Sequence, residues 1–200
     1  SDSSYAQIIN GGGIKVVLPT TAEDAKGLFK SAIRDPNPVL FLVPMTMGAV
    51  SGEVPDGEYL TPFGSGRVAR EGADVTIVAI GAMVPRAERA ARELEKAGVS
   101  AEVIDPRSLH PFDHDLVAAS VQKTGHLVVV DEARRSCSLA SEIVARVATG
   151  AHGALRAAPR ILANPDVHVP YAPGLEAEVI PRVDQIVAAA QAVRETAVAH

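Results

Sequence analysis

Residues able to do chemistry are few in this sequence, and their spacing keeps most of them apart. Among six histidines, His110 and His114 stand four apart, but Pro111 between them breaks the helical face that would let two imidazoles share a metal. His126 opens an apolar run, His152 and His168 fall in loop-like stretches, and His200 is terminal. Cys137, the single cysteine, excludes an intramolecular disulfide and any zinc site built on cysteine pairs. It follows Arg134-Arg135-Ser136 near a predicted helix start, a setting that lowers a thiol pKa, although a small residue packed at that start is the plainer reading. Gly64-Ser65-Gly66 lacks the spacing and the strand-turn-helix setting of a nucleophile elbow. Gly11-Gly12-Gly13 precedes a strand instead of opening a helix, and Gly81-Ala82-Met83 lacks the later glycines of a dinucleotide loop. His110 is the best acid or base, because it lies beyond the carboxyl end of a strand, where open α/β sheets host ligands. Asp105, Asp131 and Glu132 hold equivalent strand-end places, and for Asp105 and Asp131 the plainer reading is that they cap turns and helices. Asp35-Pro36-Asn37 is a tight turn at a helix end. It directs backbone carbonyls outward, oxygens that a monovalent cation can use, or it simply stops the helix.

Composition narrows the class. The chain has 200 residues, 47% hydrophobic and 22% charged, which is enough for a sizeable core and argues against disorder. Nineteen Lys and Arg against 24 Asp and Glu, a formal charge of -5, leave no basic excess for phosphate binding along a duplex. No apolar run approaches the ~18–20 residues that span a membrane. Ser1-Asp2-Ser3-Ser4 lacks the basic start of a signal peptide, and one cysteine fits a reducing, cytoplasmic setting. Opening on Ser and entering structure almost at once, the chain reads like the later part of something longer.

The elements that must position these residues follow an alternating rhythm. Ile14–Leu18 is a predicted strand. Thr20 with Glu23 makes a capping box for a helix over 22–33, whose apolar positions are Ala25, Leu28, Phe29 and Ala32. Asp35-Pro36-Asn37-Pro38 ends that helix, and Val39–Val43 is a second, buried strand. Over 44–73 the periodicity dissolves among glycines and prolines, as in a linker, with Tyr59-Leu60 and Gly66-Arg67-Val68 as short edge strands. Regularity then returns: strands at 75–80, 101–104, 127–130 and 161–162, helices at 84–97, 113–122, 138–149 and 181–193. Glu88 with Arg92 and Arg89 with Glu93 are paired on the outer face of the 84–97 helix. Continuous apolar strands separated by helices imply a parallel sheet covered on both faces.

Several stretches carry a family resemblance. They are Ile14-Lys15-Val16-Val17-Leu18-Pro19, the run Ala22-Glu23-Asp24-Ala25-Lys26-Gly27-Leu28-Phe29 through Asp35-Pro36-Asn37-Pro38, and Ser51-Gly52-Glu53-Val54-Pro55. Asp74-Val75-Thr76-Ile77-Val78, Glu102-Val103-Ile104-Asp105-Pro106-Arg107-Ser108-Leu109, Val128-Val129-Val130-Asp131-Glu132-Ala133 and Pro170-Tyr171-Ala172-Pro173 complete the set. In this order they resemble the beta subunit of thiamine-diphosphate-dependent 2-oxo acid dehydrogenases of the pyruvate, branched-chain and acetoin type. The resemblance implies an α/β fold: the end of a pyrimidine-binding domain over 1–43, a linker over 44–73, and a transketolase C-terminal-type parallel-sheet domain over 74–200. It implies that the family's activating carboxylate and active-site histidine lie upstream, so that no catalytic or cofactor-binding residue carries over. Thiamine diphosphate with magnesium would be bound mostly outside this chain. The family's cation ligands, for potassium, fall on Ala32, Ile33, Asp35 and Asn37. Implied partners are an alpha subunit, a second beta subunit and the lipoyl-bearing acyltransferase, with neither nucleic acid nor membrane; an acidic surface suits a basic partner. The activity would be oxidative decarboxylation of a 2-oxo acid with acyl transfer to lipoamide. Two other readings stand beside it: a shortened or split non-catalytic assembly module, and part of another transketolase-like enzyme such as a deoxyxylulose-phosphate synthase.

Overall fold

A computed structural model describes residues 3–48 and 51–196. The Ser1-Asp2 start and His200 lie outside the described residues. The first elements are α1 (Tyr5–Gly11), β1 (Lys15–Val17), α2 (Ala22–Arg34) and β2 (Val39–Phe41), with β1 and β2 parallel in the register Lys15↔Val39 to Val17↔Phe41. The expected β-α-β unit is therefore present, with two local differences. The α2 cap sits one residue later than the capping box predicts. Thr21, in extended backbone, accepts from the Asp24 amide at 3.1 Å, and its hydroxyl donates to Asp24 Oδ2 at 2.8 Å. Thr20 is taken instead by a tertiary bond to Asp105, which buries it. The second strand is shorter than its apolar run and half-buried, because β2 is the edge of its sheet. The side of α2 that is buried carries Asp24, Gly27 and Leu28, so Phe29 is left 52% exposed, edge-on to Phe41 at 5.3 Å.

After a 3-10 turn at Met45–Met47, the described residues from 55 to 61 run as a strap along α2. Lys26 donates to the Pro55 carbonyl at 2.6 Å, Tyr59 Oη to the Glu23 carbonyl at 2.9 Å and Ser31 Oγ to the Thr61 carbonyl at 2.7 Å, while Lys30 pairs with Glu58 at 2.7 Å. Gly27 permits this approach, since a Cβ there would lie 2.2 Å from Thr61 Oγ1 and 2.9 Å from the Tyr59 ring. Tyr59-Leu60 forms no strand. Arg67-Val68 does, within β3 (Arg67–Arg70).

The remaining elements are β4 (Val75–Ala79), α3 (Met83–Lys96), β5 (Ala101–Asp105), β6 (Ser108–His110), α4 (His114–Thr124), β7 (Leu127–Arg134), α5 (Leu139–Gly150), β8 (Arg160–Asn164), α6 (Pro173–Val179) and α7 (Val183–Glu195). Five strands form a sheet in the order β3-β5-β4-β7-β8, parallel except for β3 at the edge. Alternate strand residues feed two cores. Val75, Ile77, Ala79, Val103, Val128 and Val130 meet Ala87, Ala90, Ala91 and Leu94 of α3 and Ile186 and Ala190 of α7. Val78, Ile80, Ile104 and Val129 meet Val117 and Val121 of α4 and Ile143 of α5. That is the period of two expected of a sheet covered on both faces. On α3 the ion pairs formed are Glu93–Lys96 at 2.9 Å and Glu95–Arg70 at 2.9 Å.

β6 and α6 are additions to the predicted pattern. β6 is too short for a periodic signal, yet it pairs antiparallel with β1 (Val16↔His110, Val17↔Ser108), giving a second sheet of order β2-β1-β6. Tyr5, Val16 and Leu18 accordingly share one core with Ile80, Leu109 and Val129. Replacing Gly27 by Ala should destabilise the chain by about 1–3 kcal/mol through overpacking against the strap. Urea unfolding checks this, and Gly27→Ala combined with Thr61→Ala should recover part of the loss.

Candidate functional site

The turn at the end of α2 holds the four residues singled out as cation ligands. The Asp35 amide donates to the Ala32 carbonyl at a long 3.4 Å, so that carbonyl is only weakly engaged. The Asp35 carboxylate is not free. Lys15 bonds its Oδ2, and Oδ1 accepts the Asn37 amide at 2.9 Å and Asn37 Nδ2 at 3.1 Å. These bonds, the one from Lys15 first, hold the Asp35 carboxyl below its usual pKa. The carboxylate thus already has an ammonium partner, and what the turn has to offer a cation is backbone oxygen at a helix C-terminus. Among the described residues no group of three or more His, Cys, Asp or Glu is placed to hold a metal ion.

The strand-end acids have different fates. Asp105 lies in a clasp between the two sheets. Its Oδ2 takes the Thr20 hydroxyl and Arg67 Nη2 at 3.1 Å, and its Oδ1 accepts the Arg107 amide at 3.1 Å. Arg107, held in left-handed backbone at φ 57, reaches back to Asp24 Oδ1 at 2.7 Å and to the carbonyls of Ser65 and Gly66 at 2.9 and 3.0 Å. Arg67 Nε stands 3.3 Å from Asp24 Oδ2. Two buried carboxylates are thereby balanced by two guanidinium groups. Burial raises the Asp105 pKa against the pull of Thr20 and Arg67, and nothing leaves this carboxyl available as a base. Asp131 is equally buried and is bonded by the Tyr5 hydroxyl and, at 2.9 Å, by the Ala133 amide. Burial pushes its pKa up to about 6, and Glu132 is also raised, chiefly by burial.

His110 and His114, which cannot share a helix face, nevertheless meet in one cleft of about 850 Å³ beside α1, together with Phe112, Cys137, Glu142 and Arg146. His114 tilts against Phe112 at 4.7 Å, and burial, then Arg146, lowers its pKa. Arg146 is held by Glu142 at 2.6 Å. Cys137 is exposed in left-handed backbone at φ 54, one residue outside the Ser138 cap of α5, and is not packed as a small residue would be. His168 is exposed, and His126 is buried with Nδ1 2.9 Å from the Asp74 carbonyl.

A family profile described as Transketolase, C-terminal domain, matches residues 64–186. The chain belongs to the transketolase C-terminal domain family. Within that family it is similar to the acetoin:2,6-dichlorophenolindophenol oxidoreductase subunit beta of Cupriavidus necator, 48% identical over 179 residues, which cover 90% of this chain and 53% of the relative. It is also similar to the pyruvate dehydrogenase E1 component subunit beta of Bacillus subtilis, 44% identical over 172 residues, 86% of this chain and 53% of the relative. Among solved structures, a split gene transketolase described as an inactive beta4 tetramer superposes with a TM-score of 0.76 at 28% identity, covering 92% of this chain and 58% of that one. The chain spans about half the length of the curated relatives it matches.

The transketolase C-terminal domain matched here contains His110, Asp105 and Asp131 but pairs none of them as acid and base. Reading the sequence alone missed Tyr5, whose partner lies 126 residues away, and Asp24 and Arg107, which bond one another across 83 residues. No local pattern announces such contacts. Asp24→Asn should cost about 1–3 kcal/mol, because it removes the carboxylate that Arg67 and Arg107 share and leaves them Asp105 and the Ser65 and Gly66 carbonyls. Thermal and urea unfolding measure this, and a loss under 1 kcal/mol would show that the clasp contributes little.

Proposed function

We propose that this chain is the C-terminal portion of a beta subunit of a thiamine-diphosphate-dependent 2-oxo acid dehydrogenase, decarboxylating a 2-oxo acid and passing the acyl group to lipoamide in company with an alpha subunit. The observation that carries this reading is likeness at 44–48% identity to two beta subunits over nearly the whole chain. Residues 1–43 are then the end of a pyrimidine-binding domain, 44–73 its linker and 74–200 the domain that follows.

The contribution of these residues is construction, not chemistry. Thiamine diphosphate supplies the electron sink for decarboxylation when bound. The glycine loops of this chain do not fit its diphosphate. Gly64 to Gly66 turn the Ser65 and Gly66 carbonyls to Arg107 and give the Gly66 amide to Asp113 at 2.9 Å. At Gly81 the side chain of Leu18 closes the space, 2.6 Å from where a Cβ would stand. The diphosphate and its magnesium are assigned to the alpha subunit, and the activating carboxylate to the part of the beta subunit before residue 1. The turn of Ala32, Ile33, Asp35 and Asn37 is read as a potassium site built on backbone oxygens, with the carboxylate of Asp35 fixing the turn through Asn37.

Assembly with other subunits is supported by apolar side chains left uncovered: Met45, Tyr171 and Leu175 are exposed, and α6 buries no residue of its own. A second beta subunit, the alpha subunit and the lipoyl-bearing acyltransferase are the proposed partners. No helix among the described residues is long and apolar enough to cross a membrane, and a free exposed thiol suits a reducing cytoplasm. A second reading, a non-catalytic assembly module, is favoured by the inactivity stated for the split gene transketolase. An in-frame pyrimidine domain upstream selects the first reading, and an authentic start near Ser1 the second.

Co-expression of the full reading frame with the neighbouring alpha subunit should give decarboxylation of pyruvate or a branched-chain 2-oxo acid. This chain alone should show no thiamine diphosphate binding by calorimetry, and tight binding would overturn the assignment. Potassium, compared with sodium at equal ionic strength, should raise the thermal midpoint of the chain, and Asn37→Ala should reduce that rise. Identical midpoints in the two salts would remove the cation assignment.

A further inference from the structure

The five-stranded sheet reverses its direction of winding between β4 and β7. From β4 the chain passes through α3 to β5 on one side, then returns through α4 to β7 on the other. The crevice at the carboxyl ends of those strands is where open α/β sheets take their ligands. In this chain the crevice is filled by the chain itself. Tyr5 of α1 is 3% exposed and sets its hydroxyl on Oδ1 of Asp131, which follows Val130, the last residue of β7 paired with β4, and Asp131 has no exposed surface.

The bonding of that carboxyl is lopsided. Oδ1 receives the Tyr5 hydroxyl and the Ala133 amide at 2.9 Å, whereas Oδ2 is buried with no hydrogen-bond partner. An ionised carboxylate has about four acceptor sites to satisfy, and a buried one left half-satisfied favours its neutral form. The charges around it press the same way. Glu132, next along the strand and on the opposite face, adds a negative charge near Asp131 and carries on its Oε1 the Ser3 hydroxyl at 3.3 Å. Of the side chains around Glu132, Arg86 of α3 draws its pKa down and Glu176 of α6 pushes it up. No cationic side chain bonds Asp131 itself. Tyr5 is kept neutral by its burial and by Asp131, so it remains a donor over the whole working range of pH.

We propose that Asp131 is a proton-operated latch for α1: with the acid neutral the helix stays seated over the winding reversal of the sheet, and with the acid ionised it lifts more readily. The inference is independent of the dehydrogenase reading, since it rests only on contacts within this chain. Lifting α1 removes Tyr5 from the crevice and returns Asp131 to water. Seated, Asp131 titrates at about 6, and in water at its ordinary 3.8. The seated state therefore binds more protons between those values, so seating is strongest in acid, weakens as pH rises through that window and levels off above it. With those two values, the seating equilibrium is about tenfold weaker at pH 8 than at pH 5.

Hydrogen exchange on the whole chain, read on peptides covering residues 3–11 and corrected for intrinsic rates, tests the latch. Opening of α1 should rise about tenfold from pH 5 to pH 8 in the native sequence, and the rise should be much smaller in Asp131→Asn, where Glu132 is the acid still bonded to the segment through Ser3. Equal opening at both pH values in the native sequence, or an undiminished rise in Asp131→Asn, overturns the proposal. If Asp131→Asn does not fold, carbon-detected titration of the native Asp131 carboxyl decides: a midpoint near 6 supports the latch, and one below about 4.5 overturns it.

Discussion

Pairing of Lys15–Val17 with Ser108–His110 joins two stretches of chain some ninety residues apart into one sheet, and most of what surrounds the junction exists to make that pairing hold. The backbone reaches it through Arg107, whose carbonyl accepts the Leu18 amide at 2.8 Å. Arg107 occupies a left-handed conformation that a non-glycine residue adopts at some cost, so its surroundings must over-determine it. Asp24, Asp105 and the carbonyls of Ser65 and Gly66 do so. The clasp looks like a site because it gathers carboxylates and guanidinium groups at a strand end, yet every charge in it is answered by another. Such a cluster locks geometry and leaves nothing to react.

The periodic parts of this fold were legible from the residues. The strands of the large sheet and the helices between them announced themselves through continuous apolar runs and 3.6-residue spacing, and α3 buries Ala87, Ala90, Ala91 and Leu94 along one face together with Met83 and Val84. What escaped was set by tertiary contact. The α2 cap moved from Thr20 to Thr21 because Asp105, eighty-five residues on, captured the Thr20 hydroxyl. β6 has three residues and α6 buries none, so neither leaves a pattern to read. Phe29 obeyed the helical period but faced outward, since Gly27 and Asp24 turned the buried side of α2 toward the strap and the clasp. His110 and His114 met Cys137 in one cleft although their spacing forbade a common helix face, because a strand end and a helix start can converge where one helix cannot.

Seen as a whole, the chemistry-bearing residues sort by burial. The deeply buried acids, Asp24, Glu102, Asp105 and Asp131, are committed to other protein groups, and of the exposed polar groups in the cleft Glu142 and Arg146 are paired with each other. A finished interior beside uncovered apolar side chains agrees with the proposed assembly.

The strap along α2 has a consequence for the integrity of the molecule. Residues 55–61 are fastened to α2 by side chains of the helix, Lys26 and Ser31, and of the strap, Tyr59, while the β1–β6 pairing and the clasp join the parts of the chain on either side of it. A nick in the polypeptide between 62 and 66 would therefore leave two fragments bound to one another non-covalently, each supplying what the other lacks. A gene cut at that seam into two reading frames could still be reassembled as protein.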